Sequence, residues 1–241
     1  MRIAAIIQAR MRSTRLPGKV LADLQGRPVL AHIIARLRKS QLITDIAIAT
    51  STENEDDAIV AFGAANGVAV FRGTEDDVLG RFAIAVEALN PELICRVTGD
   101  SPLIDPEFVD YLLSAMISTS ADFLMLEEGV KCIQEGVDPL SRHAFELLLR
   151  EARQDPIARE HVTAWLKQNC DRVKTARVAI DPAYEFPNAR LSIDTPADLA
   201  FLEALGARVN IADVSLKEVA AILRREPWLL AINAHVRQKT A

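Results

Sequence analysis

The sequence predicts an α/β fold on a mostly parallel sheet, and three observations predict it. Short apolar runs rich in Ile, Val and Ala alternate with amphipathic stretches of helical spacing through the first half of the chain. Capping residues stand where helices should begin, and Gly or Pro where elements should stop. The 241 residues are 50% apolar and 25% charged, which supplies the core of one main domain and is unlike a disordered composition.

Residues 2–8 read as a buried strand, and Gly18, Gly26 and Pro28 punctuate a long connection after it. Residues 28–40 carry Val29, Leu30, Ile33, Ile34 and Leu37 at helical spacing, with Arg36, Arg38 and Lys39 in the last turn, where cations suit the helix dipole. The pattern repeats with a strand over 45–50, a capping box from Thr52 and Glu55, and a helix that stops at Gly67. Residues 68–72 give a third strand, Thr74 and Asp77 open a helix, and residues 92–98 give a fourth strand. Asp105 and Pro106 then supply an N-cap and first helical residue.

Beyond Asp122 the regularity weakens. Strand-like pieces over 121–126 and 137–140, and helices over 143–153 and 158–168, read as a subdomain inserted at about 122–189 in a single domain of 1–241. Residues 190–194 return to strand character. Thr195 and Pro196 with Asp198 start a helix to Leu205, and Ser215 with Glu218 boxes a final helix.

A formal charge of −5 argues against a nucleic-acid or anionic-membrane surface, which needs an excess of Lys and Arg. No apolar run approaches the roughly 18 residues of a membrane span, and the amino-terminal residues enter a strand without a cleavage region, so a cytoplasmic protein is expected. Cys95, Cys132 and Cys170 lack the close spacing of zinc or redox motifs, and the histidines form no cluster.

Residues 8–19 invert the overall charge. They hold four cations, Arg10, Arg12, Arg15 and Lys19, and no acid. The segment follows the first strand, where ligands bind in open α/β sheets, and its Ser, Thr and Gly can present backbone N–H groups to an anion. A polyphosphate fits best; the alternative is a solvated cationic loop. Neither G-x-G-x-x-G nor G-x-x-x-x-G-K-[ST] occurs, which excludes the dinucleotide and P-loop readings.

The run Ile6-Ile7-Gln8-Ala9-Arg10-x-x-Ser13-x-Arg15-Leu16-Pro17-Gly18-Lys19 resembles the signature of the acylneuraminate and 3-deoxy-manno-octulosonate cytidylyltransferases, in particular their SpsF-like branch, named for spore-coat polysaccharide biosynthesis. The resemblance implies a three-layer α/β/α nucleotide-diphospho-sugar transferase fold, Rossmann-like, with this loop around the triphosphate of CTP. It implies nucleotide contacts from Ala9, Arg10, Ser13, Arg15, Lys19 and Thr98, and assigns catalysis to Arg10, Lys19 and Asp100. The family carries a small residue where this chain has Arg12, so that side chain either points to solvent or alters the loop.

Thr98-Gly99-Asp100-Ser101-Pro102 resembles the family's G-D-x-P segment, and Asp194-Thr195-Pro196-Ala197-Asp198 its D-T-P-x-D segment. The resemblance implies that Asp100 and Asp194 hold Mg2+, a hard cation that takes one or two protein carboxylates plus substrate phosphates. By residue type alone Asp100 reads equally as a turn residue or helix cap, and Asp198 as a cap. The implied chemistry is in-line attack by an acceptor hydroxyl with pyrophosphate leaving, which requires Lys19, Asp100 and Asp194 to meet in one cleft. No residue stands out as a general base.

Arg159-Glu160-His161-Val162-Thr163 resembles an R-E-H-V-T segment of the same branch. Arg159 is either a fork gripping an acceptor carboxylate or a surface helix arginine. Glu135-Gly136-Val137-Asp138 follows a D-G-x-D segment with Glu for the first Asp. The expected acceptor set is Asp138, Arg159 and His161. The expected activity is transfer of CMP from CTP to a small acidic sugar for surface polysaccharide, by a homodimer without nucleic-acid or membrane partners. Two alternatives are a glycosyltransferase, whose common Asp-x-Asp motif is absent, and a non-catalytic nucleotide-binding protein.

Overall fold

The computed structural model describes residues 1–187 and 189–237. Strand β1 (Ile3–Gln8) leads through a hairpin, β2 (Asp23–Leu24) and β3 (Arg27–Pro28), to helix α1 (Val29–Leu37). Then come β4 (Asp45–Ser51), α2 (Asp57–Ala65), β5 (Ala69–Gly73), α3 (Val78–Leu89), β6 (Leu93–Thr98) and α4 (Pro106–Thr119). The next segment holds β7 (Phe123–Leu126), β8 (Val137–Ser141), α5 (Arg142–Glu151), α6 (Pro156–His161), α7 (Ala164–Gln168) and β9 (Thr175–Val178). Helices α8 (Pro196–Gly206), α9 (Leu216–Arg225) and α10 (Trp228–Ala231) follow.

Among the described residues the main sheet has seven strands in the order β5-β4-β1-β6-β8-β7-β9. All neighbours pair in parallel except β8, which runs antiparallel to both β6 and β7. Alternation along β1 divides the core into two layers. Ile3, Ala5 and Ile7 face α1, α4, α8 and α9 through Ile33, Leu113, Phe201 and Val219, whereas Ala4 and Ile6 face α3, α5 and α7 through Phe82, Phe145 and Leu166. The result is a three-layer α/β/α fold. Segment 122–189 contributes β7, β8 and β9 to this same sheet.

The caps at Asp77, Asp105, Thr195 and Ser215 form as the sequence predicts, and Gly67 takes φ 63° beyond α2. Other expectations are corrected. No box forms at Thr52 and Glu55, because the Asp56 carboxylate turns inward to accept from Ser51 N, Thr50 Oγ1 and Met11 N, and a single 3₁₀ turn precedes α2. The 158–168 helix is broken at Val162, whose φ is 51°. Residues 190–194 form no strand: they cross the ends of the sheet strands, with Ile193 N donating to Asp100 O at 2.8 Å. The sequence pattern does not predict hairpin β2–β3, strand β9 or α10, and α1 ends at Leu37 rather than near Ser40.

Arg36 does lie in the last turn of α1, but it is only 2% exposed. Its guanidinium donates to the carbonyls of Ile104, Ile211 and Val214 at 2.5, 3.0 and 2.8 Å, tying α1 to the approaches of α4 and α9. Burial lowers its pKa, and arginine nevertheless remains charged. Replacing it with Met strips three buried carbonyls of their donor. The expected cost is about 3 kcal/mol, which lowers Tm by about 6–12 °C in a domain of this size. An R36M midpoint within about 2 °C of wild type in calorimetry would refute the clamp.

Candidate active site

The strand order reverses at β1: the chain moves to β4 on one side and later to β6 on the other. Ligands in open α/β sheets lie outside the carboxyl ends of strands at such a point. A cleft of about 1000 Å³ opens there, lined by the loop after β1, the ends of β6 and β8, and parts of α3 and α6.

The loop is closed on itself and fastened below. Gly18 takes φ 74° and donates its N–H to Met11 O at 2.8 Å. Met11 N donates to Asp56 Oδ1 at 2.6 Å, so a 2% exposed carboxylate holds the loop's first turn. Burial of Asp56 opposes ionisation, but the donors from Met11, Ser51 and Thr50 outweigh it and its pKa falls. The short helix Lys19–Leu21 then aims Lys19 into the cleft.

There the three residues required to meet do so. Lys19 Nζ lies 2.7 Å from Asp100 Oδ2 and 2.7 Å from Asp194 Oδ1. Asp194 also pairs with Arg15 at 2.9 Å and with Arg190. Burial of Asp194 raises its pKa, the contacts with Lys19, Arg190 and Arg15 lower it, and the net direction is down. Arg190, 7% exposed, is braced by Asp198 at 2.9 Å, and Asn233 donates to both Asp198 Oδ1 and Arg190 O. Asp198 caps α8 while serving this brace.

Two close approaches set the cleft wall. Gly99 N donates to Gln8 O at 2.9 Å, and a Cβ at Gly99 would sit 2.7 Å from that oxygen. Gly136, at φ 73°, accepts from Thr98 N at 2.9 Å and faces Thr98 and Ser101. Ala9, Arg10, Ser13, Arg15 and Thr98 all line the same cleft. Arg10 stands 3.5 Å from Glu75, and Arg12 pairs with Glu75 at 2.9 Å and with Glu55 at 3.4 Å.

On the far side Asp138 is held between Arg96 and Lys167, each at 2.7 Å, and accepts from Thr163 Oγ1 at 2.9 Å. Burial pushes its pKa up, but Lys167 and Arg96 pull it well below the ordinary carboxylate value. A depressed folded pKa gives stability that is full above the unfolded value and is lost as pH falls. The stability gap between wild type and Asp138→Asn is therefore expected to be greatest above about pH 5 and to shrink below about pH 4 in urea unfolding. A gap independent of pH would refute the pairing.

Arg159 lines the cleft 37% exposed, with its Nε a long 3.8 Å from Asp77, and His161 lines it at the end of α6. Burial pushes the Cys95 thiol up to about 12 and Cys132 up to about 11, which leaves both protonated at neutral pH. The sequence does not mark Asp56, Glu75, Arg96, Lys167 or Arg190. Glu75, Arg96 and Lys167 pair with residues distant in the chain, Asp56 fastens the distant Met11, and Arg190 meets Asp194 and Asp198 only once its segment is folded onto the site.

Among the described residues no three His, Cys, Asp or Glu side chains gather as a metal cage. Asp100 and Asp194 instead converge on a single cation, the Lys19 ammonium, a donor pair that suits a hard divalent ion sharing its shell with phosphates. No helix among the described residues is long and apolar enough to cross a membrane.

The sequence profile described as Cytidylyltransferase matches residues 4–226. The chain is 34% identical over 231 residues to spore coat polysaccharide biosynthesis protein SpsF of Bacillus subtilis, covering 93% of this chain and 95% of that protein. It is 34% identical over 175 residues to a 3-deoxy-manno-octulosonate cytidylyltransferase of Anaeromyxobacter dehalogenans, covering 66% of this chain and 71% of that one. A cytidylyltransferase structure from Leptospira borgpetersenii superposes with a TM-score of 0.85 at 26% identity, covering 100% of this chain and 99% of that one. A cationic loop at the strand switch point, two aspartates on one ammonium and a profile spanning nearly the whole chain agree: the chain is a nucleotidyltransferase and belongs to the cytidylyltransferase family.

Proposed function

We propose that the chain transfers CMP from CTP to the hydroxyl of a small acidic sugar, releasing pyrophosphate, in surface polysaccharide synthesis. The observation that carries this reading is Lys19 bridging Asp100 and Asp194 beside the Arg10 and Arg15 loop. The names of the SpsF and 3-deoxy-manno-octulosonate relatives support the polysaccharide setting and the acidic acceptor.

Asp100 and Asp194 would hold Mg2+, which when bound neutralises phosphate oxygens. Lys19 and Arg10 would set their charge on the α-phosphate, Arg15 and Ser13 would hold the outer phosphates, and Ala9 and Thr98 would flank the nucleoside. The acceptor oxygen attacks phosphorus as its hydroxyl proton passes to solvent, and the bond to the bridging oxygen breaks with its electron pair leaving on pyrophosphate. Positioning and charge neutralisation carry the rate. Asp138, ion-paired on both oxygens, is too weak a base to take the hydroxyl proton. It presents Arg96 and Lys167, with Arg159 and His161, to the acceptor's carboxylate. The reading extends to a cytoplasmic homodimer of single 1–241 domains joined through the 122–189 segment, on the resemblance to the synthetases.

The test is pyrophosphate release by the purified chain with Mg2+, each of four nucleoside triphosphates and a panel of acidic sugars, 3-deoxy-manno-octulosonate among them. Release that requires CTP and one acidic sugar is expected. A folded protein that releases none with any pair sinks the reading, and transfer from a UDP-sugar replaces it with glycosyl transfer.

A further inference from the structure

Arg10, the cation nearest the start of the phosphate loop, is not idle in the free protein: its guanidinium stands 3.5 Å from Glu75 Oε1. Glu75 sits in the cleft wall with its side chain 17% exposed. Its backbone is fixed, because Arg81 Nη1 donates to Thr74 O at 2.9 Å and to Glu75 O at 2.6 Å. With that backbone fixed and its carboxylate shared by Arg10 and Arg12, Glu75 stands at the cleft wall where several negative charges would enter, and like charges at this range repel. The second Glu75 oxygen is taken by Arg12 at 2.9 Å, and the other arm of Arg12 reaches Glu55 at 3.4 Å on the outer side of the loop.

We propose that Arg12 is a positioning residue for nucleotide affinity that acts through Glu75 and not by touching phosphate. Glu75 keeps Arg10 in place until a polyphosphate arrives. Arg12 then keeps the Glu75 charge compensated, so that Arg10 passes to the phosphate chain without leaving a bare carboxylate beside it. The pair is a charge relay of position only; no bond is made or broken. It rests on the polyphosphate reading of the cleft.

Calorimetry on the full chain with inorganic tripolyphosphate, and separately with CTP, tests it. Arg12 is 59% exposed on its side chain, so its replacement leaves the fold intact. Arg12→Ala is expected to weaken tripolyphosphate binding about fivefold, and Arg12→Lys to hold it within about twofold. The informative variant is Arg12→Ala with Glu75→Gln, which removes the stranded charge and is expected to restore wild-type affinity. An unchanged Arg12→Ala overturns the proposal. So does an equal loss in the single and double variants, which makes Arg12 a direct phosphate ligand. A wild-type chain that binds tripolyphosphate but not CTP ends the cytidylyl reading and leaves this inference standing; one that binds neither ends both.

Discussion

Lys19→Met is expected to lower pyrophosphate release roughly 100- to 1000-fold, the loss typical of removing a preorganised donor from a developing charge. The stability cost is small by comparison, about 1 kcal/mol, because the stranded carboxylates keep contact with solvent and Asp194 retains Arg15 and Arg190. Activity and stability should therefore separate, with turnover collapsing while the unfolding midpoint barely moves. Asp100→Asn makes a sharper companion than a change at Asp194. Lys19 is the ion-pair partner of Asp100 among the described residues, whereas Asp194 gathers three cations whose release would disturb the fold. Near wild-type turnover by Lys19→Met, at saturating CTP and Mg2+, would remove Lys19 from the chemistry.

Gly136→Ala should fail for a steric reason. The new Cβ would stand 2.2 Å from Thr98 Oγ1 and 2.7 Å from Ser101 Oγ, at a φ of 73° that side chains rarely adopt. Neither neighbour yields cheaply: Thr98 N donates to Gly136 O, and Ser101 is 5% exposed. Strain and displacement together should cost about 2–4 kcal/mol. The residues pushed aside flank Asp100, so turnover should fall with stability. Urea unfolding within about 0.5 kcal/mol of wild type, with unchanged turnover, would show that the wall has more room than the close approach implies.

The two predictions also mark what could be read before folding. β1, β4 and β6, with the caps at Asp77, Asp105, Thr195 and Ser215, follow from hydrophobic period and cap chemistry, which are local. Lys19, Asp100 and Asp194 could be named together only because each lies in a segment resembling a family motif; the partners of Lys19 lie 81 and 175 residues away. Arg36 had no such marker. Its acceptors come from 68 to 178 residues along the chain, so its spacing on α1 looked like that of any solvated cation.

Misreadings elsewhere share that cause. Thr52 and Glu55 have the spacing of a capping box, yet Asp56 gains more by fastening Met11 and the end of β4. Residues 190–194 have strand composition, but among the described residues they pair with no strand, and their charges belong to the Asp194 brace. Sequence period reports what a segment prefers alone, and partners brought by folding decide the rest.

The anchoring of the last helix bears on handling the protein. Asn233 is locked onto the Asp198 brace, and the Arg237 carbonyl accepts from Arg15 at 3.4 Å, so residues 233–237 lie against the loop. Surface-coupling handles are therefore better kept away from residues 233–237, which lie against the Arg15 guanidinium.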